Sequence, residues 1–492
     1  MTCISHRVSV IYLYLLPIFI CLSFFVSCKK HENNDVLLKF STPIVKFDTV
    51  FTTVSSVTKL FTVHNRSNSE VSTTIYLAGN NKSYFSINVD GESGTYFKNV
   101  KIPKKDSIFV FVKVNINPKD ENNPYLITDS IVFITGTNTQ DVKLLAYGQD
   151  AHFIVADPSK GFKVVAGLPI DQETGLPTGY KQHVTWTKER PYVIYGWAVI
   201  DSACSLTIEP GTKVYFHHNS GLWAYRYSEL NVGFTDLNPE GIKEEPVLFR
   251  GDRLEPWYDK DYAQWNGIWI NEGAEVEITN AIITHARTGV QINPYVTDVN
   301  INITVNSLVT INNTIIKNTE KCGVWAMFLN VEMTNCVIAN NGACSLQLEG
   351  GKYKMKHLTI VNQFMQAERK VPACYVSNVV SAYKDLSYEI KAEFINCIIT
   401  GRNESEVEVI KKGAENLTAS FQNCLLKTKN NSDYFVDCLR NEDPKFEAQD
   451  KLDFRLKSGS PVIGKGKPTE VKEDILYKTR KNPPDIGAYE SQ

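Results

Sequence analysis

Residues 313–360 read NTIIKNTEKCGVWAMFLNVEMTNCVIANNGACSLQLEGGKYKMKHLTI, and one phrase recurs in them. A polar residue (Asn313, Asn335, His357) is followed by a small or apolar residue and, two places further on, by Ile316, Ile338 or Ile360. Working outward, the phrase returns at Asn280 (NAII), Asn396 (NCII) and Asn423 (NCLL). The spacings are 33, 22, 22, 39 and 27, so two are 22 and the others exceed it by 11, 17 and 5. The extra residues fall in polar stretches: 294–304, the segment after Gln363, and 402–408. A fixed unit with insertions that leave its register intact is the signature of a stacked solenoid. Strand-sized apolar runs at this unit length predict a right-handed parallel β-helix, with coils stacked about 4.8 Å apart.

Stacking demands that each column keep one chemical character. One column reads Ala281, Thr314, Cys336, Leu358, Cys397, Cys424, and the column two residues on reads Ile283, Ile316, Ile338, Ile360, Ile399, Leu426. Both suit a coil interior, while the Asn column suits a hydrogen-bonded ladder at a turn. The chain has eleven Cys. Cys336, Cys397 and Cys424 share a packing position, so they are expected as buried free thiols, and only Cys397 and Cys424 could approach each other. No CxxC occurs, which argues against a structural zinc.

The flanks carry a resemblance. SLTIEPGTKVYF (205–216) and QWNGIWINEGAEVEITNAIITHA (264–286) resemble the opening coils of secreted bacterial right-handed parallel β-helix proteins. Asp443-Pro444-Lys445-Phe446, DFRLKSGSP (453–461) and DIGAYE (485–490) resemble the closing segment of that group. The resemblance implies fold and export, not chemistry. A solenoid's terminal strands are unpaired edges that need covering, and the closing segment and the preceding domain are the expected covers.

The run VSVIYLYLLPIFICLSFFVS (8–27) holds no charge and ends at Cys28. A small residue before a Cys, at the end of an apolar run, resembles the lipobox of bacterial lipoproteins, here of the Bacteroides kind; Phe25 departs from the usual Leu. The resemblance implies a cleaved signal peptide and a lipid on Cys28. The partner is then a membrane, reached through that anchor. The location is the outer membrane, with periplasmic or external face open. A retained transmembrane helix is the competing reading.

Between the anchor and the solenoid, IVKFDTVF (44–51), KLFTVHN (59–65), STTIYLAG (72–79), DSIFVFVKV (106–114) and DSIVFIT (129–135) alternate with period two. Turn residues separate them, as in an antiparallel β-sandwich. Val63-His64-Asn65 and Pro103-Lys104-Lys105-Asp106-Ser107 resemble immunoglobulin-like domains of the abnormal-spindle and hydin type. The expected fold is therefore all-β: an immunoglobulin-like β-sandwich, then a right-handed parallel β-helix solenoid. The boundaries run 1–27 signal, 28–39 tether, 40–152 sandwich, 153–194 linker and N-terminal cover, 195–436 β-helix and 437–492 closing segment.

Lys plus Arg is 52 and Asp plus Glu 54, a net charge of −2, which offers no nucleic acid a basic surface. Enzymes on such solenoids need clustered carboxylates, or a base with a charge-neutralising cation. The Asn-Thr-Asp and Arg-Ile-Lys phrases of galacturonases and any Asp-Asp pair are absent. The richest polar cluster is RGDRLEPWYDKDYAQW (250–265). In it Asp252, Arg253, Glu255, Trp257, Asp259, Asp261 and Trp265 are candidate ligands for a glycan, or for Ca²⁺ as the one conceivable cofactor. The plainer alternative is a solvated loop whose aromatic residues pack on the coil. Trp269 and Trp325 sit in matching phrases and could stack on sugar rings or pack under a loop. His217 and His218, read as strand neighbours, should point to opposite faces. No catalytic residue is assigned. The expectation is a lipid-anchored cell-envelope protein that recognises a glycan or protein, or serves the envelope structurally. The alternative is a polysaccharide lyase or glycoside hydrolase.

Overall fold

A computed structural model describes residues 36–51, 58–114, 125–149, 151–168, 181–234, 245–254, 258–259, 261–295, 308–380, 387–413 and 415–491. Cys28, the apolar run and the tether up to residue 35 lie outside the described residues, as do Glu255 and Trp257. The chain divides into two compact units, 1–149 and 150–492.

The first unit is a sandwich of two five-stranded sheets. Its strands alternate as the sequence predicts: Val71–Leu77 buries every second residue, and Ser107–Val114 does likewise. The inward residues, among them Phe61, Val63, Ile75, Val110 and Phe133, form one core. One pairing departs from the antiparallel expectation. Lys39–Phe40 joins one sheet and Ile44–Phe51 the other, where it runs parallel to Asn138–Gln149. The switch falls at Ser41-Thr42-Pro43, where Pro43 has no N–H to offer a ladder. The Asn of the immunoglobulin-like phrase has a structural task. Asn65 is buried, and its Nδ2 donates to Ser69 O (2.8 Å), Ile102 O (3.0 Å) and Pro103 O (3.0 Å), tying two loops together.

The second unit is a right-handed parallel β-helix with three faces. Each coil visits the first face, then the second, then the third. Among the described residues the faces hold eleven, nine and ten strands. Equivalent residues pair in register, as in Ile316↔Ile338↔Ile360↔Ile399↔Leu426 along the first face. The predicted interior columns are interior: Cys336, Ile338, Leu358, Ile360, Cys397, Ile399, Cys424 and Leu426 are all fully buried in one continuous core. The Asn column is the corner from third to first face. Asn280, Asn313, Asn335, His357, Asn396 and Asn423 all have positive φ, between 45° and 56°. Asn is among the few residues that enter this left-handed region cheaply.

Two boundaries move. Parallel pairing begins at His152–Val155, which pairs with Tyr192–Tyr195, so the segment expected as linker and N-terminal cover already holds strands of a first coil, His152–Val155, Phe162–Ala166 and His183–Trp186. That coil lacks the Asn phrase, which hid it. Pairing ends at Leu439–Arg440, past residue 436. The closing segment also differs from its expected part as an end cover. It lies along the flank, where Phe446, Phe454, Val462, Ile475, Ile486 and Ala488 bury the outward side chains Val337, Ala339, Val361, Ile398 and Leu425 of the first face. Those outward positions are apolar in the last coils because they carry this second layer.

Candidate functional site

The corner from first to second face is short in most coils: His217–Ser220 in one, His285–Gly289 in another. Two coils lengthen it. One insertion runs from Asp252 to Asn266 and holds the sequence-predicted cluster; the other runs from Gln363 to Ala373. They meet at Tyr262 and Phe364, whose rings lie edge to face at 4.9 Å. Between them and the short corners lies an open groove of about 680 Å³. Its walls include His217, Asp252, Arg253, Tyr258, Asp261 and Tyr262. A second concavity of about 530 Å³ adjoins it across Tyr262 and Gln366, and carries Asp259, Asn318, Asn340 and Gln363.

Local bonds hold the first insertion in place. Asp252 N donates to Phe216 O (2.9 Å) and Gln264 N to His285 O (2.8 Å), extending the ladder to both ends of the loop. Gln264 is buried, and its Nε2 donates to Tyr258 O (2.7 Å) and Asp261 O (3.0 Å), closing the loop on itself. It rests against Gly251, where a Cβ would come within 2.2 Å of Gln264 Oε1. Asn340 Nδ2 donates to Tyr262 OH (3.1 Å). The second insertion is fastened by Arg369, whose guanidinium meets the fully buried Glu406 carboxylate; Glu406 Oε2 also accepts from Ala373 N (2.8 Å).

Several charges in and around the groove are paired. His217 Nδ1 donates to Asp252 Oδ2 (2.8 Å), and this bond raises the imidazole's pKa above its ordinary value. Tyr195 stacks on His217 at 4.6 Å. Arg253 Nη2 donates to Tyr258 OH (2.6 Å), with the guanidinium 4.1 Å from that ring's centroid. Arg250 Nη2 donates to Asp259 Oδ1 (3.2 Å), and Arg287 Nε to Glu320 Oε2 (3.2 Å). Lys317 and His285 lie behind this wall, and burial lowers the pKa of both. Among the described residues, no three His, Cys, Asp or Glu side chains are grouped so that they could hold a metal ion.

The predicted ligands thus divide. Asp252, Arg253 and Asp261 line the groove, and Asp259 lines its neighbour. Trp265 does neither. It is fully buried, stacked on Phe216 at 4.1 Å and 7°, with Nε1 donating to Thr284 O (2.9 Å). Its place after the loop, where the chain re-enters the coil, makes it core. His217 and His218 are corrected too. The strand ends at Phe216, so both sit in a corner, where alternation no longer applies, and both line the groove. Tyr258, Tyr262, Arg287, Glu320, Phe364 and Gln366 escaped sequence reasoning. Glu320, Phe364 and Gln366 come from coils far along the chain, and only the register brings them near.

Trp269 and Trp325 do share an outward column of the second face, two coils apart with Gln291 between. Trp223 joins them one coil earlier and stacks on Trp269 at 4.6 Å and 16°. Their Nε1 atoms donate to Asn271 (2.6 Å), Asn293 (2.9 Å) and Glu349 (3.3 Å). Trp223 and Trp269 turn one ring face each toward the other, which favours packing over sugar stacking at this pair.

Residues 258–378 match the family model described as right handed beta helix region. No curated protein matches the chain. Among solved structures, the chain is similar to the Agl-KA catalytic domain at 9% identity and TM-score 0.25, covering 74% of this chain and 75% of that one. It is also similar to the catalytic domain of a GH87 α-1,3-glucanase in complex with nigerose, at 12% identity, TM-score 0.21 and coverage of 79% and 88%. A family 123 glycoside hydrolase from Clostridium perfringens aligns at 8% identity and TM-score 0.19, over 30% of each chain. Likenesses this weak carry no argument about activity.

Proposed function

We propose that this is an exported, lipid-anchored protein of the cell envelope that recognises a glycan, without cleaving it, in the corner groove. One observation carries the reading. Two insertions, far apart in sequence, converge on a groove that mixes aromatic rings (Tyr258, Tyr262, Phe364) with hydrogen-bonding side chains. A sugar presents an apolar ring face and a rim of hydroxyls, and such a lining meets both. The test is a glycan array probed with the whole chain and with Tyr262→Ala combined with Asp252→Asn. The double variant should lose at least tenfold in affinity while its melting temperature changes little. Unchanged binding would move the site elsewhere, and absence of any glycan binding would favour a protein partner or a structural role.

Anchoring is tested separately. Cys28→Ser should abolish incorporation of labelled lipid and leave uncleaved precursor or released protein; undiminished labelling would refute the anchor. A second reading, a polysaccharide lyase or glycoside hydrolase, draws on the His217–Asp252 pair at the groove wall, since a carboxylate on Nδ1 leaves Nε2 available as a base. New reducing ends or unsaturated products from a polysaccharide panel, lost in His217→Ala, would favour it.

A further inference from the structure

The column of small side chains at the third-to-first corner does not stop at Cys424. The pairings Ile398↔Leu425 and Leu425↔Leu439 put Cys397, Cys424 and Cys438 on three successive rungs. Asp437 supplies the left-handed residue of the last rung, with φ 52°. The sequence hides this rung, because Asp437 follows Asn423 by 14 residues rather than 22 or more.

Successive rungs lie about 4.8 Å apart. That falls within the roughly 4.4–6.8 Å between Cα atoms that a disulfide spans. The side chains are parallel. Cys424 Sγ donates back to Gln422 O (3.3 Å), and Cys438 Sγ to Val436 O (3.4 Å), the same bond one rung apart. Exposure separates this pair from its neighbour. Cys397 and Cys424 are both fully buried, whereas Cys438 is only partly covered. All three are reduced thiols in this structure.

We propose that Cys438 and Cys424 form a disulfide when the protein meets a disulfide oxidant, stapling the last rung of the solenoid to the one before it. The Cys438 thiolate attacks a sulfur of the oxidant's disulfide, forming a mixed disulfide and expelling one thiolate. Cys424 then gives up its proton and attacks the Cys438 sulfur, expelling the oxidant's second thiolate. Two protein thiols lose two electrons and two protons, and one oxidant disulfide becomes two thiols. Cys438 attacks first because the oxidant reaches it and not Cys424. The Cys424 side chain, which can turn its S–H toward a Cys438 thiolate, also holds the Cys438 pKa below the ordinary value. The site is where a staple matters most. Phe435–Val436 and Leu439–Arg440 are two-residue strands and pair on one side only. A solenoid frays from such a rung.

The test equilibrates the full chain with oxidised glutathione, then alkylates free thiols under denaturing conditions and maps the peptides. The expected product is one cross-link, Cys424 to Cys438, leaving 8 − 2 = 6 of the eight thiols beyond residue 200 alkylated. The oxidised chain should melt several degrees higher, and reduction should reverse the shift. Cys438→Ser should remove both the cross-link and the shift. Cys397→Ser should remove neither. Eight free thiols after oxidation, a cross-link joining any other pair, or a Cys424–Cys438 bond with no gain in melting temperature would overturn the proposal. Because Cys438 is partly exposed, its Ser variant should fold, and glycan binding by that variant is unaffected whichever way the thiol result falls.

Discussion

At the scale of single residues, the repeat phrase is two hydrogen-bonding devices side by side. The Asn enters left-handed backbone and links to its neighbours: Asn335 Nδ2 donates to Asn313 Oδ1 (3.2 Å), and Asn396 Nδ2 to His357 Nε2 (3.1 Å). The next residue donates to the carbonyl two places before it. Thr314 Oγ1 does so to Asn312 O (2.7 Å), and Cys336 and Cys397 make the same bond through sulfur to Thr334 O (3.3 Å) and Ile395 O (3.4 Å). Thr314, Cys336, Cys397 and Cys424 therefore act in one column as small donors, whereas Ala281 and Leu358 only fill space there. His357 is the exception in the Asn column. Burial, with Arg480 nearby, lowers its pKa to about 3, against 6.5 when free. As pH falls below about 6.5 the unfolded chain takes up this proton while the folded chain does not, so stability drops until pH nears 3. His357→Asn restores the column's usual residue. It should flatten the fall in the urea midpoint across that window and leave the midpoint above pH 6.5 little changed. An equally steep fall in the variant would show that other groups set the acid limit.

At the scale of elements, a strand's two faces meet different neighbours, and a corner meets solvent. Ile338 faces the interior and is fully buried, while the Glu404 side chain, in the corner after Ile398–Gly401, is 79% exposed and pairs with Lys429. Ile338→Asp should cost several kcal/mol, because the carboxylate must stay unpaired among aliphatics or take up a proton. Glu404→Ala should leave the denaturant midpoint nearly unchanged, because an exposed ion pair is screened by solvent. Denaturant melts that ranked the two the other way would overturn the column register. The same contrast explains where the groove formed: a corner can lengthen without disturbing the ladder, and a strand cannot.

At the scale of the whole solenoid unit, the closing segment docks on the last coils through the corner ladder as well as through apolar contact. Asn335 Nδ2 donates to Glu473 O (2.8 Å) and Asn396 Nδ2 to Lys467 O (2.7 Å). The DIGAYE motif is the fastening. Asp485 and Glu490 are buried and accept backbone N–H groups of the segment, as does Asp474. Arg480 enters between Glu490 (3.3 Å) and Asn335 Oδ1 (2.7 Å), with both charged side chains at most 3% exposed. Removing one partner strands the other, so Arg480→Ala should cost about 3–5 kcal/mol. The first reporter should be proteolysis within 465–491, since this layer can lift while the coils stay paired. Unchanged protection there would show that apolar contact alone holds the layer.

The solenoid was legible because a stack repeats its demands. A column that must be small, or aliphatic, or able to enter left-handed backbone writes the same residue type at each pass, and six passes are enough to read. The sandwich was legible for a similar reason, since alternation along a strand is local. Neither argument reaches residues that matter once. Trp265 could be read as a ligand because its loop is polar, but its place beside Phe216 depends on where the chain rejoins the coil. Glu320, Phe364 and Gln366 reach the groove because coil stacking converts a sequence separation of a hundred residues into a few rungs. The sequence by itself determined the repeat, its interior and the presence of insertions. Only the tertiary structure decided which insertions share a corner, which aromatic rings are core, and that the closing segment lies on the flank, because those outcomes depend on register summed over many coils.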